Sequence, residues 1–429
     1  MQERDQETLE PDHRAVVEAR AAAEQRLEEA KASGLSLDLT RGKPSPEQLD
    51  LAQPLLDRLG QVTRAANGFD CRNYGILEGL PEARELFSRF LRVEAEEIFV
   101  QDNSSLRLMH DLLCWSLLVG TSEGGPWVLE GQTTFLCPSP GYDRHFHLCA
   151  HLGVQMEAVP MGPEGPDVEF IVERVRNDPS VRGMFCVPRF SNPTGSVYSS
   201  EVVESLAQME TACPDFRIFW DDAYARHELV AGAPLAGSLL DACKRAGCAE
   251  RAYVFGSTSK VTVAGAGVSM VAVAGKNLNW LQGNLSKQCI GPNKLVQGAH
   301  VDFLVDDEGV DRLMKRHADL LRPRFEAALD VLEERLAPLS VARWTRPQGG
   351  YFVSLDTLPG CAEVVVDLAA KAGVKLTPAG ATFPYGEDPL GRNIRLAPSF
   401  PSVEDVRRSA EVLADAVVVA SAEALSAGQ

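Results

Sequence analysis

Ala252-Tyr253-Val254-Phe255-Gly256-Ser257-Thr258-Ser259-Lys260 opens as an apolar run and closes as a turn crowded with hydroxyls. Small residues, Ala264-Gly265-Ala266-Gly267, follow it. The run reads as a buried strand, and the turn carries one lysine at its tip. A lysine so close to an apolar strand is costly if it stays charged and unpaired. One chemistry uses such a lysine well: an amine held neutral enough to form a Schiff base with an aldehyde cofactor. Ser257 and Ser259 would then hold that cofactor's phosphate. An ordinary strand-end lysine on the surface reads the same from these nine residues, so the neighbouring segments decide.

Two similar units precede it. Gly183-Met184-Phe185-Cys186-Val187 leads into Pro188-Arg189-Phe190-Ser191-Asn192-Pro193-Thr194-Gly195. Phe216-Arg217-Ile218-Phe219-Trp220 leads into Asp221-Asp222-Ala223-Tyr224. Ser269 to Ala274 gives one more strand. Further upstream, Ile98-Phe99-Val100, Trp127-Val128-Leu129, Phe135-Leu136-Cys137 and the alternating Val154 to Val159 read as strands. Helical patterns lie between them, at Pro81 to Leu91, Leu106 to Val119 and Val168 to Arg176. Near-continuous apolar runs separated by helices predict a mostly parallel sheet covered on both faces. The fold class is therefore α/β: a large domain built on a sheet of about seven strands, with a smaller α+β domain beside it.

The smaller domain is read from both ends of the chain. An amphipathic helix spans about 11 to 33, followed by a short extended piece and the loop Thr40-Arg41-Gly42-Lys43-Pro44-Ser45. After residue 276 the chain turns helical. Short strands are expected at Val341 to Trp344, Gly350 to Leu355 and Val374 to Leu376, and an edge strand at Asn393 to Ala397. A helix from Val403 to Ala424 ends the pattern. The expected division is 1–60 with 325–429 for the small domain, and 61–324 for the large one.

Composition narrows the function. Of 429 residues, 45% are hydrophobic and 24% charged, as in ordinary globular proteins. A net charge of −18 opposes nucleic-acid binding, which needs a basic face. The ten cysteines form no Cys-x-x-Cys pair, and Cys243 and Cys248 have no zinc-ligand cluster near them. No metal site is expected, and reduced thiols of a cytoplasmic protein fit best. Residues Met1 to Glu7 contain no apolar run, so no secretory signal is read there. No run approaches the roughly 20 apolar residues of a membrane span.

In a parallel sheet, ligands bind beyond the carboxyl ends of the strands, where the polar residues of these turns fall. If Lys260 carries pyridoxal phosphate, the chemistry makes further demands. A carboxylate must keep the pyridine nitrogen protonated, and Asp221 fits; Asp222 would point to the other face. Asn192 and Tyr224 are placed to donate to the phenolic oxygen. Ser104, Ser105 and Ser257 offer hydroxyls and a helix start to the phosphate. Tyr142, in a Pro/Gly turn, would cover the ring. Arg395 would grip an amino acid's carboxylate.

The order Asn192-Pro193-x-Gly195, Asp221-x-Ala223-Tyr224, Ser257-x-Ser259-Lys260 and Arg395 resembles fold type I pyridoxal-phosphate aminotransferases. The likeness runs through essentially the whole chain. Thr40 to Ser45, Asn103 to Leu106, Pro140-Gly141-Tyr142-Asp143-Arg144-His145 and Asn393 to Ser399 are similar to a bacterial branch of aspartate aminotransferases. That branch is related to the aminotransferase-like domains of MocR-type regulators. The resemblance implies that Lys260 carries the Schiff base and shuttles the substrate proton, and that Gly42 closes over the substrate. It implies a homodimer, in which Tyr74 reaches the phosphate of the other subunit. Amino acids and 2-oxo acids are the implied partners, with aspartate or glutamate the expected donor.

Two departures stand out. Val261 to Met270 lacks the arginine that many aminotransferases carry after the lysine to grip the phosphate. Gly291-Pro292-Asn293-Lys294 is followed by Gln297 to Asp302 without an arginine, where relatives carry basic residues. Arg107 or Arg189 is the expected substitute for recognising a distal carboxylate. A lyase or synthase on the same scaffold, or a non-catalytic effector-binding protein, are the alternative readings. No basic DNA-binding segment accompanies the latter.

Overall fold

The computed structural model describes residues 9–427. Residues 1–8, with the Met1 to Glu7 run, and 428–429 lie outside the described residues. In chain order the strands are β1 (Leu37–Asp38), β2 (Ile98–Gln101), β3 (Thr134–Ser139), β4 (Gln155–Gly162), β5 (Gly165–Pro166), β6 (Val181–Cys186) and β7 (Arg217–Asp221). They continue as β8 (Ala252–Ser257), β9 (Ser269–Ala272), β10 (Ala342–Trp344), β11 (Val353–Thr357), β12 (Val374–Lys375) and β13 (Asn393–Leu396).

Eight strands form one sheet in the order β2-β9-β8-β7-β6-β3-β4-β5. The block from β4 to β8 is parallel, through β3, β6 and β7. β9 runs antiparallel to β8 and β2. The eighth strand, β5, is a two-residue antiparallel edge on β4. Side-chain alternation explains why this sheet forms. Tyr253, Phe255, Phe219 and Phe185 enter one buried cluster, against Leu112 and Val271. Val254, Ile218, Trp220 and Met184 enter the cluster on the opposite face, with Phe87 and Leu240.

Trp127–Leu129 is a short 3₁₀ helix, not the strand expected from its apolar residues. Gly124, Gly125 and Pro126 interrupt any extended run before it. The buried Trp127 indole then donates to Asp215 Oδ2 at 2.7 Å. Apolar content alone does not separate a strand from a plug of this kind.

A second core joins the two ends of the chain. Val16, Leu27 and Leu39 pack there with Phe325, Leu332, Val353, Val365 and Val417. β10, β11 and β13 form an antiparallel sheet, and β1 pairs with β12. Arg26 in the His13–Ala32 helix meets Asp415 in the Val403–Ala427 helix at 2.6 Å. The Asp307–Leu336 helix serves both cores. Val310 and Leu313 pack on the large sheet, while Leu321 and Phe325 pack on the smaller unit. It therefore runs through residue 324, where the sequence reading divides the chain. Among the described residues no helix is long and apolar enough to cross a membrane.

Candidate active site

The register aligns Cys186 with Trp220 and Asp221 with Phe255, so the ends of β6, β7 and β8 lie side by side. Lys260 stands three residues beyond β8. Its carbonyl accepts from His227 Nε2 at 3.2 Å and from the Tyr351 hydroxyl at 3.4 Å. His317 Nε2 bonds the next carbonyl, of Val261, at 2.9 Å. The lysine turn is thus pinned from two sides. Lys260 Nζ lies 5.1 Å from the centroid of the Tyr224 ring. Burial pushes the Lys260 pKa below the ordinary lysine value, against the opposing pull of Asp221.

Asp221 ends β7 and is 3% exposed. Its Oδ2 bonds His145 Nε2 at 3.1 Å. Its Oδ1 is buried with no partner among the described residues. His145 stacks on Phe185, with centroids 4.4 Å apart, and meets the edge of Tyr142 at 4.9 Å. Asp222 turns to the opposite face, as strand alternation requires. Burial raises its pKa, with the charges of Arg92 and Arg189 pulling it down.

Asn192 Oδ1 accepts from Arg395 Nη1 at 3.4 Å, while Asn192 Nδ2 is buried without a partner among the described residues. Burial pushes the Tyr224 phenol far above its usual pKa. Tyr142 is pushed up to about 12, first by burial and then by the Asp221 charge. Both phenols therefore keep their protons at neutral pH and can donate hydrogen bonds.

Arg395 lies on β13, opposite Ser354 of β11. Its Nη1 is 2.8 Å from Asp143 Oδ1, and its Nη2 is 3.4 Å from Thr377 Oγ1. The Phe352 ring lies 5.1 Å from the guanidinium carbon. Arg395 Nε is buried without a partner among the described residues. A Cβ at Gly42 would run into the Phe352 ring, so only glycine lets that loop lie against it. Gly42 thus reaches the surroundings of Arg395.

Ser104 is the N-cap of the Ser105–Leu118 helix, accepting from Arg107 N at 3.2 Å. That leaves its hydroxyl proton to donate elsewhere. Two contacts dock this helix start beside the lysine turn. Ser259 Oγ donates to Asn103 O at 3.3 Å, and Ser269 N donates to Asp102 O at 2.7 Å. Ser257 faces Ser269 in the β8–β9 register. The helix start at Ser104 and Ser105 is thereby brought toward the end of β8 at Ser257. Tyr74 is 77% exposed, and no contact among the described residues joins it to the cluster.

Of the two expected substitutes, Arg189 is already committed within the fold. Arg189 is 1% exposed and spends its guanidinium on the carbonyls of Pro234, Ala225 and Ala233 and on Glu228. Arg107 is exposed, 3.9 Å from Asp102 and 3.8 Å from Asp111. Gln297 and His300 are tied inside the protein, to Val100 O and to the hydroxyls of Thr258 and Thr262. Sequence reasoning assigned no role to His145, Asp143 or Thr377. For His145 a signal existed: a buried carboxylate at a strand end demands a donor, and His145 sits one turn after Tyr142.

The aspartate amino-transferase family model matches residues 11–429. An aspartate aminotransferase of Corynebacterium glutamicum is 44% identical over 93% of this chain and 92% of its own. The crystal structure of an aspartate transaminase from that organism superimposes with a TM-score of 0.93, at 43% identity, covering 96% of this chain and 98% of the other. An α-aminoadipate aminotransferase of Thermus thermophilus was solved with N-(5′-phosphopyridoxyl)-L-leucine. At 23% identity and a TM-score of 0.73, over 96% of this chain and 98% of its own, it shares the fold.

Proposed function

The chain belongs to the aspartate amino-transferase family and is a transaminase, and from that premise we propose that it works through pyridoxal 5′-phosphate at Lys260, with aspartate or glutamate as donor and 2-oxoglutarate as acceptor. One observation carries this reading. Asp221 Oδ1, an acceptor, and Asn192 Nδ2, a donor, are both buried without partners among the described residues. Buried polar atoms are normally satisfied, so an unmatched pair at one rim calls for a ligand that answers both. A pyridinium N–H answers the first and a phenolic oxygen the second.

When bound, the cofactor supplies an electron sink for the substrate α-carbon. Lys260 Nζ, which burial biases toward the neutral amine, would take the proton from that carbon and deliver it to the cofactor's C4′. Asp221 keeps the ring nitrogen protonated, and His145 fixes the orientation of Asp221. Asn192 and Tyr224 donate to the phenolic oxygen, and Tyr142 covers the ring face. Ser104, Ser105 and Ser257 hold the phosphate at a helix N-terminus. With no arginine between Val261 and Met270, hydroxyls and backbone N–H groups carry that contact. Arg395 clamps the α-carboxylate, and Gly42 closes over the substrate. Tyr74, exposed in one chain, serves the phosphate of a second copy in a homodimer. The ten unpaired cysteines suit a cytoplasmic protein.

The test is a visible spectrum of the cofactor-loaded protein during titration with single amino acids. Aspartate or glutamate should convert the bound pyridoxal form to the pyridoxamine form, and 2-oxoglutarate should reverse it. Conversion by neither acid would overturn the substrate assignment. A protein that takes up no pyridoxal phosphate would overturn the cofactor assignment.

A further inference from the structure

We propose that Asp143 is the resting partner of Arg395 and a specificity-determining residue: it occupies the guanidinium until an incoming α-carboxylate takes its place. The proposal rests on reading Arg395 as the carboxylate clamp. The Arg395 side chain is 6% exposed, and Asp143 is its one ion-pair partner among the described residues, at 2.8 Å and 17% exposed. Its other contacts, Asn192 Oδ1 and Thr377 Oγ1, are neutral. A cation that deeply buried needs a counter-charge. Substrate provides one only while bound, so between turnovers the protein must provide it.

Asp143 is suited to leave. It is the first residue of the Asp143–His151 helix, whose N-terminus stabilises a carboxylate without help from Arg395. Its side chain keeps some access to water, at 17% exposed. Arg189 shows the contrasting arrangement, a buried arginine tied to three carbonyls and a glutamate. Nothing about Arg189 is free to exchange. Arg395 keeps Nε bare and holds one anion that can be replaced in kind.

Selectivity follows. A ligand with an α-carboxylate exchanges one ion pair for another that can be bidentate. An amine without a carboxylate cannot displace Asp143 and meets a site already filled.

The test uses the cofactor-loaded enzyme and succinate as the probe, with dissociation constants measured by calorimetry. Asp143→Ala and Asp143→Asn should each bind succinate roughly tenfold more tightly than the wild type, because a competing like charge is gone. The Asn variant preserves the side-chain shape if the Ala variant does not fold. Unchanged or weaker binding in the folded variant would overturn the proposal and make Asp143 a fixed strut. Arg395→Lys is the reference. If wild type and Arg395→Lys bind succinate equally, the clamp reading itself fails, and the proposal falls with it.

Discussion

Asp221 and Asp222 are neighbours of identical chemistry on opposite faces of one strand end. Both are 3% exposed, and each leaves its Oδ1 without a partner among the described residues. Asp221 faces the aromatic side, where His145 bonds it and Lys260, Tyr142 and Tyr224 feel its charge. Asp222 faces Arg92 and Arg189, and Arg189 is already committed to carbonyls and Glu228. Burial and an unmatched oxygen therefore do not make a catalytic carboxylate. What separates the two is the company each keeps across the rim of the sheet.

The strongest test of that contrast removes the group that Asp221 serves. Lys260→Ala should abolish transamination, by about 10⁴-fold or more, as for other covalent nucleophiles. Its melting temperature should stay near the wild type's. Retained turnover would end the assignment of this face as the reactive one.

Next comes the direct comparison. Asp221→Ala should lower kcat/KM by about 10³-fold, as loss of a key electrostatic group does, and weaken cofactor retention. Asp222→Ala should cost less than about tenfold in steady-state kinetics. Equal losses would mean that the two faces have been assigned wrongly.

His145→Ala should fall between these, with a loss of about 10- to 100-fold, typical for a partner that orients a charged group. Gel filtration followed by a cofactor assay should show more pyridoxal phosphate lost from this variant. An unaltered rate would show that Asp221 needs no orienting partner.

The smallest effect concerns stability. The Asp222 carboxyl is raised above its ordinary 3.8 in the folded protein, chiefly by burial. The folded state then holds a proton that the unfolded state has released, so stability falls as pH rises from about 3.8 through the raised value. Asp222→Asn escapes that loss. Thermal unfolding should show the variant gaining on the wild type above this window. The gain is about 1.4 kcal/mol for each tenfold difference in the carboxyl's proton affinity between folded and unfolded chains. No gain on raising the pH would contradict the burial argument.

The split between Asp221 and Asp222 was legible in the sequence because strand periodicity is two, and an extended strand cannot place adjacent side chains together. Lys260 stood out as a candidate only in company: its own nine residues fit a surface lysine equally well, and the neighbouring strand ends at Asn192 and Asp221 singled it out. Trp127 was not legible, because three apolar residues fit a strand and a buried plug alike. The pairing of Arg395 with Asp143 joins residues 252 positions apart, on a strand and a helix of different cores, a distance no local pattern spans. Nor does sequence distinguish Arg189 from Arg395. Their fates depend on whether carbonyls or open donors surround the guanidinium, which only packing decides. Tyr74 stands outside the cluster of its own chain, and the role proposed for it rests on the resemblance rather than on any local pattern.

The unmatched Asp221 Oδ1 and Asn192 Nδ2 also bear on how much of this protein a cell can keep. Each buried polar atom left unanswered costs about 1–3 kcal/mol. A ligand that answers both favours the folded chain by mass action, about 2.7 kcal/mol at a concentration one hundred times its dissociation constant. Chains folded without such a ligand would spend longer open to proteases than liganded ones.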